Sequence, residues 1–170
     1  MTTRPRIQPP PPGAPTHAGA LGHQPEALAA FDRLYATLWS HGVLDHATKE
    51  IARLRNARVT DCRYCRSVRF STARDEGLSE ELVDEIRDGY DAADALSARQ
   101  RATLRWTDAF LRDPHGVDET LRSEMLRHFT PAELVELTAG LALFMGFSKI
   151  AVALDQMPEH LPVRVVPTPA

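Results

Sequence analysis

The sequence predicts an all-α fold, a multi-helix bundle carried between two proline-rich tails. Three observations predict it. Apolar residues recur at helical spacing, residues that cap helices punctuate those runs, and no stretch alternates polar and apolar residues over the length of a strand. The chain of 170 residues suits one domain that buries a core without disulfide staples. Its 43% hydrophobic and 25% charged residues are ordinary globular values.

Residues 1–23 hold Pro5, Pro9, Pro10, Pro11, Pro12 and Pro15. That composition favours solvated, extended chain and predicts a disordered tail. Residues 158–170, with Pro158, Pro162, Pro167 and Pro169, read as a second, passive tail. Residues 24–157 between them form one helical domain.

Within that domain each element has its own signals. Leu28, Phe31, Tyr35 and Leu38 mark the first helix, and Gly42 ends it. Asp45 caps a second helix with Ala47, Ile51 and Leu54 on one face. Thr60 or Asp61 caps a third, which carries both cysteines and runs to Gly77. Ser79, followed by Glu80 and Glu81, starts a short fourth helix that stops at Gly89. Ser97 and Gln100 form a capping box ahead of Leu104, Ala109 and Leu111, with Pro114 beyond. Asp118 caps the helix of Leu121, Met125 and Leu126. Thr130-Pro131-Ala132-Glu133 supplies an N-cap, an N1 proline and a capping-box glutamate for the last helix.

That last helix is apolar from Leu137 to Leu154 except at Thr138, Ser148 and Lys149. Its length approaches a membrane span, but Glu136 and Lys149 would be costly in lipid. Burial on nearly all sides, inside the bundle or at a subunit interface, is the expectation.

Composition narrows the function. A net charge of −3 gives no electrostatic case for nucleic acid or an anionic membrane as a partner. The amino terminus shows no apolar signal region, so a cytoplasmic location is expected. Only two cysteines occur, Cys62 and Cys65, in the segment Asp61-Cys62-Arg63-Tyr64-Cys65. A CxxC pair on one helical turn lies within disulfide range and can cycle between dithiol and disulfide. Redox chemistry follows as the first hypothesis.

At a helix start, the dipole and free backbone N–H groups favour an anion, which lowers the expected pKa of Cys62. Arg63, Arg66 and Arg69 add positive charge. Arg69, four residues after Cys65, would share its helical face and favour the Cys65 thiolate. Glu50 borders the apolar face of its helix, as a paired surface charge or a functional acid or base. His46 lies one turn before Glu50 and is placed to hydrogen-bond to it. Tyr64 packs between the cysteines, its hydroxyl a secondary candidate for a proton contact.

Other chemistry finds little support. Two cysteines and scattered histidines, among them His115 and His128, do not supply a zinc-ligand spacing, so no metal is expected. The sequence has no GxGxxG, Walker loop or serine elbow, and no cofactor is expected. Trp106, Phe110, Phe144, Phe147, Met145 and Met157 read as core or interface.

Glu50, eleven intervening residues, then Cys62-Arg63-Tyr64-Cys65 resembles the alkyl hydroperoxidase D-like, or carboxymuconolactone decarboxylase, family. The resemblance extends over residues 25–157 and includes Leu96-Ser97-Ala98-Arg99 and Phe129-Thr130-Pro131-Ala132-Glu133-Leu134. It implies an all-helical fold assembling into trimers or hexamers, and a thiol-dependent hydroperoxide reductase. By that resemblance Cys65 attacks the peroxide, Cys62 resolves the sulfenic acid to a disulfide, and a dithiol donor protein restores the pair. Glu50 matches the glutamate that helps deprotonate the attacking thiol through a histidine relay.

The sequence departs from the family at Arg69, where the peroxidases carry histidine. Arginine cannot accept a proton at neutral pH. It can pair with Glu50 if the two helices face each other, or hold Cys65 as thiolate by charge alone. The attacking sulfur stays open at this point: the helix dipole favours Cys62, the resemblance and Arg69 favour Cys65. The alternative functions are a redox sensor or other non-catalytic oligomer, and then a lactone decarboxylase. The decarboxylase ranks last, because that branch does not use a CxxC pair.

Overall fold

A computed structural model describes residues 6–8, 12, 19–154 and 161–170. A short 3-10 turn at Gly19–His23 leads into α1 (Pro25–Ser40), α2 (His46–Val59) and the five-residue α3 (Arg63–Ser67). A short strand β1 (Val68–Phe70) comes next, then α4 (Ser71–Asp75) and α5 (Glu80–Glu85). The long helices α6 (Ala98–Arg112), α7 (Glu119–His128) and α8 (Pro131–Leu154) follow, and β2 (Arg164–Val166) pairs with β1. The predicted N-terminal tail falls mostly on residues outside those described.

Helix α2 is the axis of the bundle. Every residue from Thr48 to Ala57 is buried, including Lys49, Glu50, Arg53, Arg55 and Asn56. Buried charge is tolerable only when paired and hydrogen-bonded. Lys49 Nζ meets that condition by donating to the carbonyls of Leu38 and Trp39, at 2.9 and 3.1 Å, and to Glu136 at 3.1 Å. These are terminal carbonyls of α1 that lack a helical partner. Arg55 reaches across to Asp108 on α6 at 2.7 Å and to Asp88 at 2.8 Å. The helix is thus fastened to its neighbours by ion pairs, with apolar packing between them.

That packing forms two main clusters. Trp39, Ala52, Met125, Leu137, Leu141 and Phe144 fill the space between α1, α2, α7 and α8. Ile51, Leu54, Val83, Ile86, Leu96 and Leu104 fill the opposite side of α2. The turn between α1 and α2 closes on Glu136, whose Oε2 accepts from Val43 N at 2.6 Å and Leu44 N at 3.1 Å. A Cβ at Gly42 would lie 1.9 Å from Glu136 Oε1, so any side chain here would push the Glu136 carboxylate off these bonds.

The caps expected at Asp45, Ser79, Ser97 and Asp118 form, with the full capping box at Ser97 and Gln100. Two other expectations need correction. The cysteine helix does not run to Gly77: it ends at Ser67, and Val68–Phe70 becomes a wholly buried strand. Three residues are too few to show alternation, which is why the strand leaves no trace in the sequence. The C-terminal residues are not a passive tail either. Val68, Arg69 and Phe70 pair in parallel with Arg164, Val165 and Val166.

Helix α8 is long and apolar enough to cross a membrane by length and composition, yet only 28% of its most apolar window is buried in this chain. Leu137, Gly140, Leu141, Phe144 and Ser148 face inward, while Val135 and Ile150 are exposed. Burial on nearly all sides is therefore not achieved by one chain.

Candidate active site

The end of α2 delivers the first cysteine. Cys62 N donates to Ala57 O at 2.9 Å and Asp61 N to Arg58 O at 3.3 Å, the paired bonds of a Schellman ending. Asp61 occupies the left-handed position of that motif, with φ of +52°. Aspartate tolerates this backbone better than most residues. Asp61 is thus the end of α2 and not the cap of α3, as its composition had implied. Cys62 takes the capping role instead: its Sγ accepts from Cys65 N at 3.3 Å.

Cys62 and Cys65 are joined as a disulfide across one turn, with their Cα atoms 5.3 Å apart. Both are buried, Cys62 completely and Cys65 to 6% exposure. The two sulfurs differ in surroundings. Cys65 borders a cavity of about 540 Å³, and Cys62 is not among its lining residues. Aromatic rings dominate the wall, from Phe31 and Tyr35 on α1, Tyr64 on α3, Phe70 on β1, and Phe144 and Phe147 on α8. Burial pushes the Tyr35 phenol up to about 12, against the lowering charge of Arg53, so it stays a neutral hydroxyl at neutral pH.

Asp32 and Arg164 also line the cavity, and two further polar groups, Ser148 and Arg53, reach it next to Cys65. Ser148 Oγ lies 3.3 Å from Cys65 Sγ and accepts from Asn56 Nδ2 at 2.9 Å. Arg53 is almost wholly enclosed. Its Nε and Nη2 bond both oxygens of Glu50 at 2.7 and 2.6 Å. Its Nη1 donates to Cys65 O at 2.8 Å, and its Nη2 to Val68 O at 2.6 Å. A guanidinium has five N–H donors. These bonds use four of them and leave one Nη1 hydrogen. Burial works against the charge on Arg53, but the Glu50 carboxylate more than offsets it and holds its pKa above the ordinary arginine value.

Glu50 is therefore a buried partner of Arg53, and its Oε1 also accepts from Phe70 N at 3.3 Å. Arg69 lies elsewhere. With α3 ended at Ser67, Arg69 sits on β1, and its guanidinium pairs with Glu80 at 3.1 Å and with the carbonyl of Arg66. The pairing of Arg69 with Glu50, open only if their two helices faced each other, does not form. His46 bonds Glu76 at 2.9 Å and stacks on Trp39, not on Glu50. Arg66 is exposed and pairs with Asp61 at 2.7 Å. No group of three or more metal-ligating side chains occurs among the described residues.

Arg53, Asn56 and Ser148 are the residues of this site that the sequence reading missed. Ser148 had a visible signal, since it interrupts an apolar run. Arg53 had a weaker one: it lies three residues after Glu50, a spacing that places two side chains on one helix face.

Residues 25–109, half of the chain, match the model of the carboxymuconolactone decarboxylase family. The chain belongs to this family. An uncharacterized protein found in two Mycobacterium tuberculosis strains is 37% identical over 128 residues, which are 75% of this chain and 44% of the relative. The chain thus spans less than half the length of those curated relatives. Among solved structures, an Agrobacterium tumefaciens protein of unknown function, connected by name with antioxidant defence and AhpD, superposes with a TM-score of 0.72. It is 22% identical and covers 93% of this chain and 100% of its own. An alkylhydroperoxidase AhpD core protein from Ralstonia eutropha superposes at 0.69, with 23% identity over 82% of this chain and 74% of its own. At these identities the likeness establishes the fold, which is that of AhpD-like members of the carboxymuconolactone decarboxylase family.

Proposed function

We propose that this chain is a thiol-dependent hydroperoxide reductase in which Cys65 attacks and Cys62 resolves. One observation carries the reading: of two bonded sulfurs, only Cys65 borders an aromatic cavity, where a serine hydroxyl and a fixed guanidinium also lie. On access this supports Cys65 as the attacking sulfur, the one the family resemblance indicates.

The reaction balances on this pair. The Cys65 thiolate attacks one peroxide oxygen, the O–O bond breaks, and the departing alkoxide takes a proton to leave as an alcohol. Cys65 is then a sulfenic acid. The Cys62 thiol displaces its oxygen as water, which gives the disulfide, and a dithiol donor protein reduces it again by exchange. Ser148, held by Asn56, donates to the thiolate. The spare N–H of Arg53 is the donor closest in kind to an oxyanion ligand on the cavity wall. Glu50 holds Arg53 in place and acts as a positioning residue. The aromatic wall favours an organic hydroperoxide over hydrogen peroxide.

A second reading is a redox sensor or other non-catalytic oligomer. Arg69 favours it: the family's relay histidine is replaced by a side chain turned toward Glu80. A lactone decarboxylase ranks below both. In each case we place the chain in the cytoplasm as a homo-oligomer, a trimer or hexamer, with the exposed face of α8 as the contact. Nucleic acid and membrane are not partners in this proposal.

The test is hydroperoxide consumption by purified protein with dithiothreitol as reductant. The enzyme reading expects sustained turnover in the parent, none in Cys65→Ser, and, with dithiothreitol left out, one stoichiometric turnover that stops at the sulfenic acid in Cys62→Ser. A parent that oxidises once and stops is a sensor. Equal consumption by all three proteins would sink the thiol mechanism.

A further inference from the structure

The C-terminal strand lies against the cavity, and nothing in the chemistry above uses it. Its partner β1 begins three residues after Cys65, in the register Val68 to Arg164. The end of β2 and the chain after it run along the same cavity: Val166, Pro167, Pro169 and Ala170 all line it, with Arg164 at the other end of the strand.

This segment is fastened on two sides. Thr168 Oγ1 donates to Thr72 Oγ1 at 2.8 Å and accepts from Thr72 N at 3.2 Å, which ties it to the start of α4. Ser40 Oγ donates to Pro169 O, which ties it to the end of α1. The prolines suit the position. Each fixes its own φ and holds the preceding residue extended, so Val166-Pro167-Thr168-Pro169 is stiff before it docks. Neither has an N–H to leave unsatisfied against an apolar cavity.

We infer that Arg164–Ala170 forms the outer wall of the Cys65 cavity and sets its substrate class: hydroperoxides with a bulky apolar group, aryl or branched alkyl. The inference rests on the thiol-peroxidase reading for its kinetics, though not for its geometry. A hydroperoxide with a phenyl group held in the cavity beside Cys65 meets the apolar lining of Val166, Pro167 and Pro169 and loses that contact when the strap is gone. Hydrogen peroxide, which needs only the sulfur and its polar neighbours, gains nothing from the wall. Discrimination between the two therefore resides in the C-terminal residues.

The experiment compares the parent, a chain lacking 164–170, and Val166→Trp, which fills the cavity from the strap side. Circular dichroism reports whether each is folded. The first readout is kcat/KM for cumene hydroperoxide divided by that for hydrogen peroxide. Each variant is expected to lower this ratio about tenfold, the effect of uncovering or excluding roughly 50 Å² of apolar ligand surface. The second readout needs no peroxidase activity: the rate at which a polyethylene-glycol maleimide modifies Cys65 in reduced Cys62→Ser backgrounds, relative to iodoacetamide. The deletion should raise that relative rate and Val166→Trp should lower it, whereas general loosening would raise both. Should the deletion fail to fold, Val166→Trp alone decides by both readouts. Ratios within twofold of the parent, with unchanged maleimide access, would overturn the wall. A parent inert to both peroxides but with the expected opposite maleimide shifts would overturn the peroxidase reading and leave the wall standing.

Discussion

Ser148 Oγ stands 3.3 Å from Cys65 Sγ, and the same oxygen accepts an N–H from Asn56 at 2.9 Å. A serine hydroxyl offers one hydrogen and two acceptor sites. With Asn56 on the acceptor side, the hydroxyl hydrogen is free to point at sulfur. All three groups are buried, where a hydrogen bond to an anion is stronger than in water.

Replacing Ser148 with alanine should therefore raise the pKa of the reduced Cys65 thiol. A hydrogen bond to a charged group contributes about 1.5–3 kcal/mol, and 1.4 kcal/mol corresponds to about one pKa unit. An upward shift of about one unit is expected in the pH profile of iodoacetamide modification, measured in the Cys62→Ser background. Ser148→Thr keeps the hydroxyl and should restore most of the parent profile. An unchanged profile in the alanine variant would remove Ser148 from the chemistry.

The Glu50–Arg53 pair predicts strong non-additivity. Both side chains are nearly fully enclosed, and each meets the other's charge at 2.6–2.7 Å. Removing one partner leaves an uncompensated buried charge, which costs about 3–5 kcal/mol. Arg53→Met and Glu50→Gln should each lower the urea midpoint steeply. The double variant Glu50→Leu with Arg53→Met should lose much less than the sum of the single variants. Additive losses would mean that the pair is not the unit its geometry describes.

Arg69 gives the opposite expectation to the one its spacing suggests. Arg69→Leu should leave the Cys65 pKa where it is and affect stability only modestly, because its charge faces the half-exposed Glu80. The same iodoacetamide profile decides. A rise comparable to that of Ser148→Ala would return arginine to the mechanism.

Arg69 also marks where sequence reasoning stops. Helix starts were legible at Asp45, Ser79, Ser97 and Asp118 because a cap is a local bond between residues two or three apart. The end of α3 was not legible, because β1 exists only by pairing with Arg164–Val166, nearly a hundred residues away. The face-sharing argument for Arg69 needed an unbroken helix and failed with it. The cysteine pair and Glu50 were visible as residue types at a telling spacing. Their partners were not: a buried Arg53 looks like any surface arginine until α2 is seen enclosed from Thr48 to Ala57. The C-terminal prolines likewise read as solvated chain until a strand edge is there to receive them.

Acid should reach the site through Asp45, the N-cap of α2. Burial pushes its carboxyl up, but bonds from the Thr48 hydroxyl and backbone N–H, with the Arg99 guanidinium, more than reverse this and hold its pKa below the ordinary value. A carboxylate depressed in the folded state stabilises fully above its unfolded pKa, about 4, and that contribution fades as pH falls through the folded value. Asp45→Asn keeps a side chain able to cap but cannot titrate. The parent should be the more stable of the two at about pH 6, and their urea midpoints should converge as pH falls from about 4 through the depressed folded value. Because α2 carries Glu50, Arg53 and Asn56, the pH at which the parent loses this advantage should also be where modification of reduced Cys65 by a dipyridyl disulfide, which reacts with thiols even in acid, begins to rise. A midpoint difference that stays constant across this range would show that the cap contributes through its shape and not its charge.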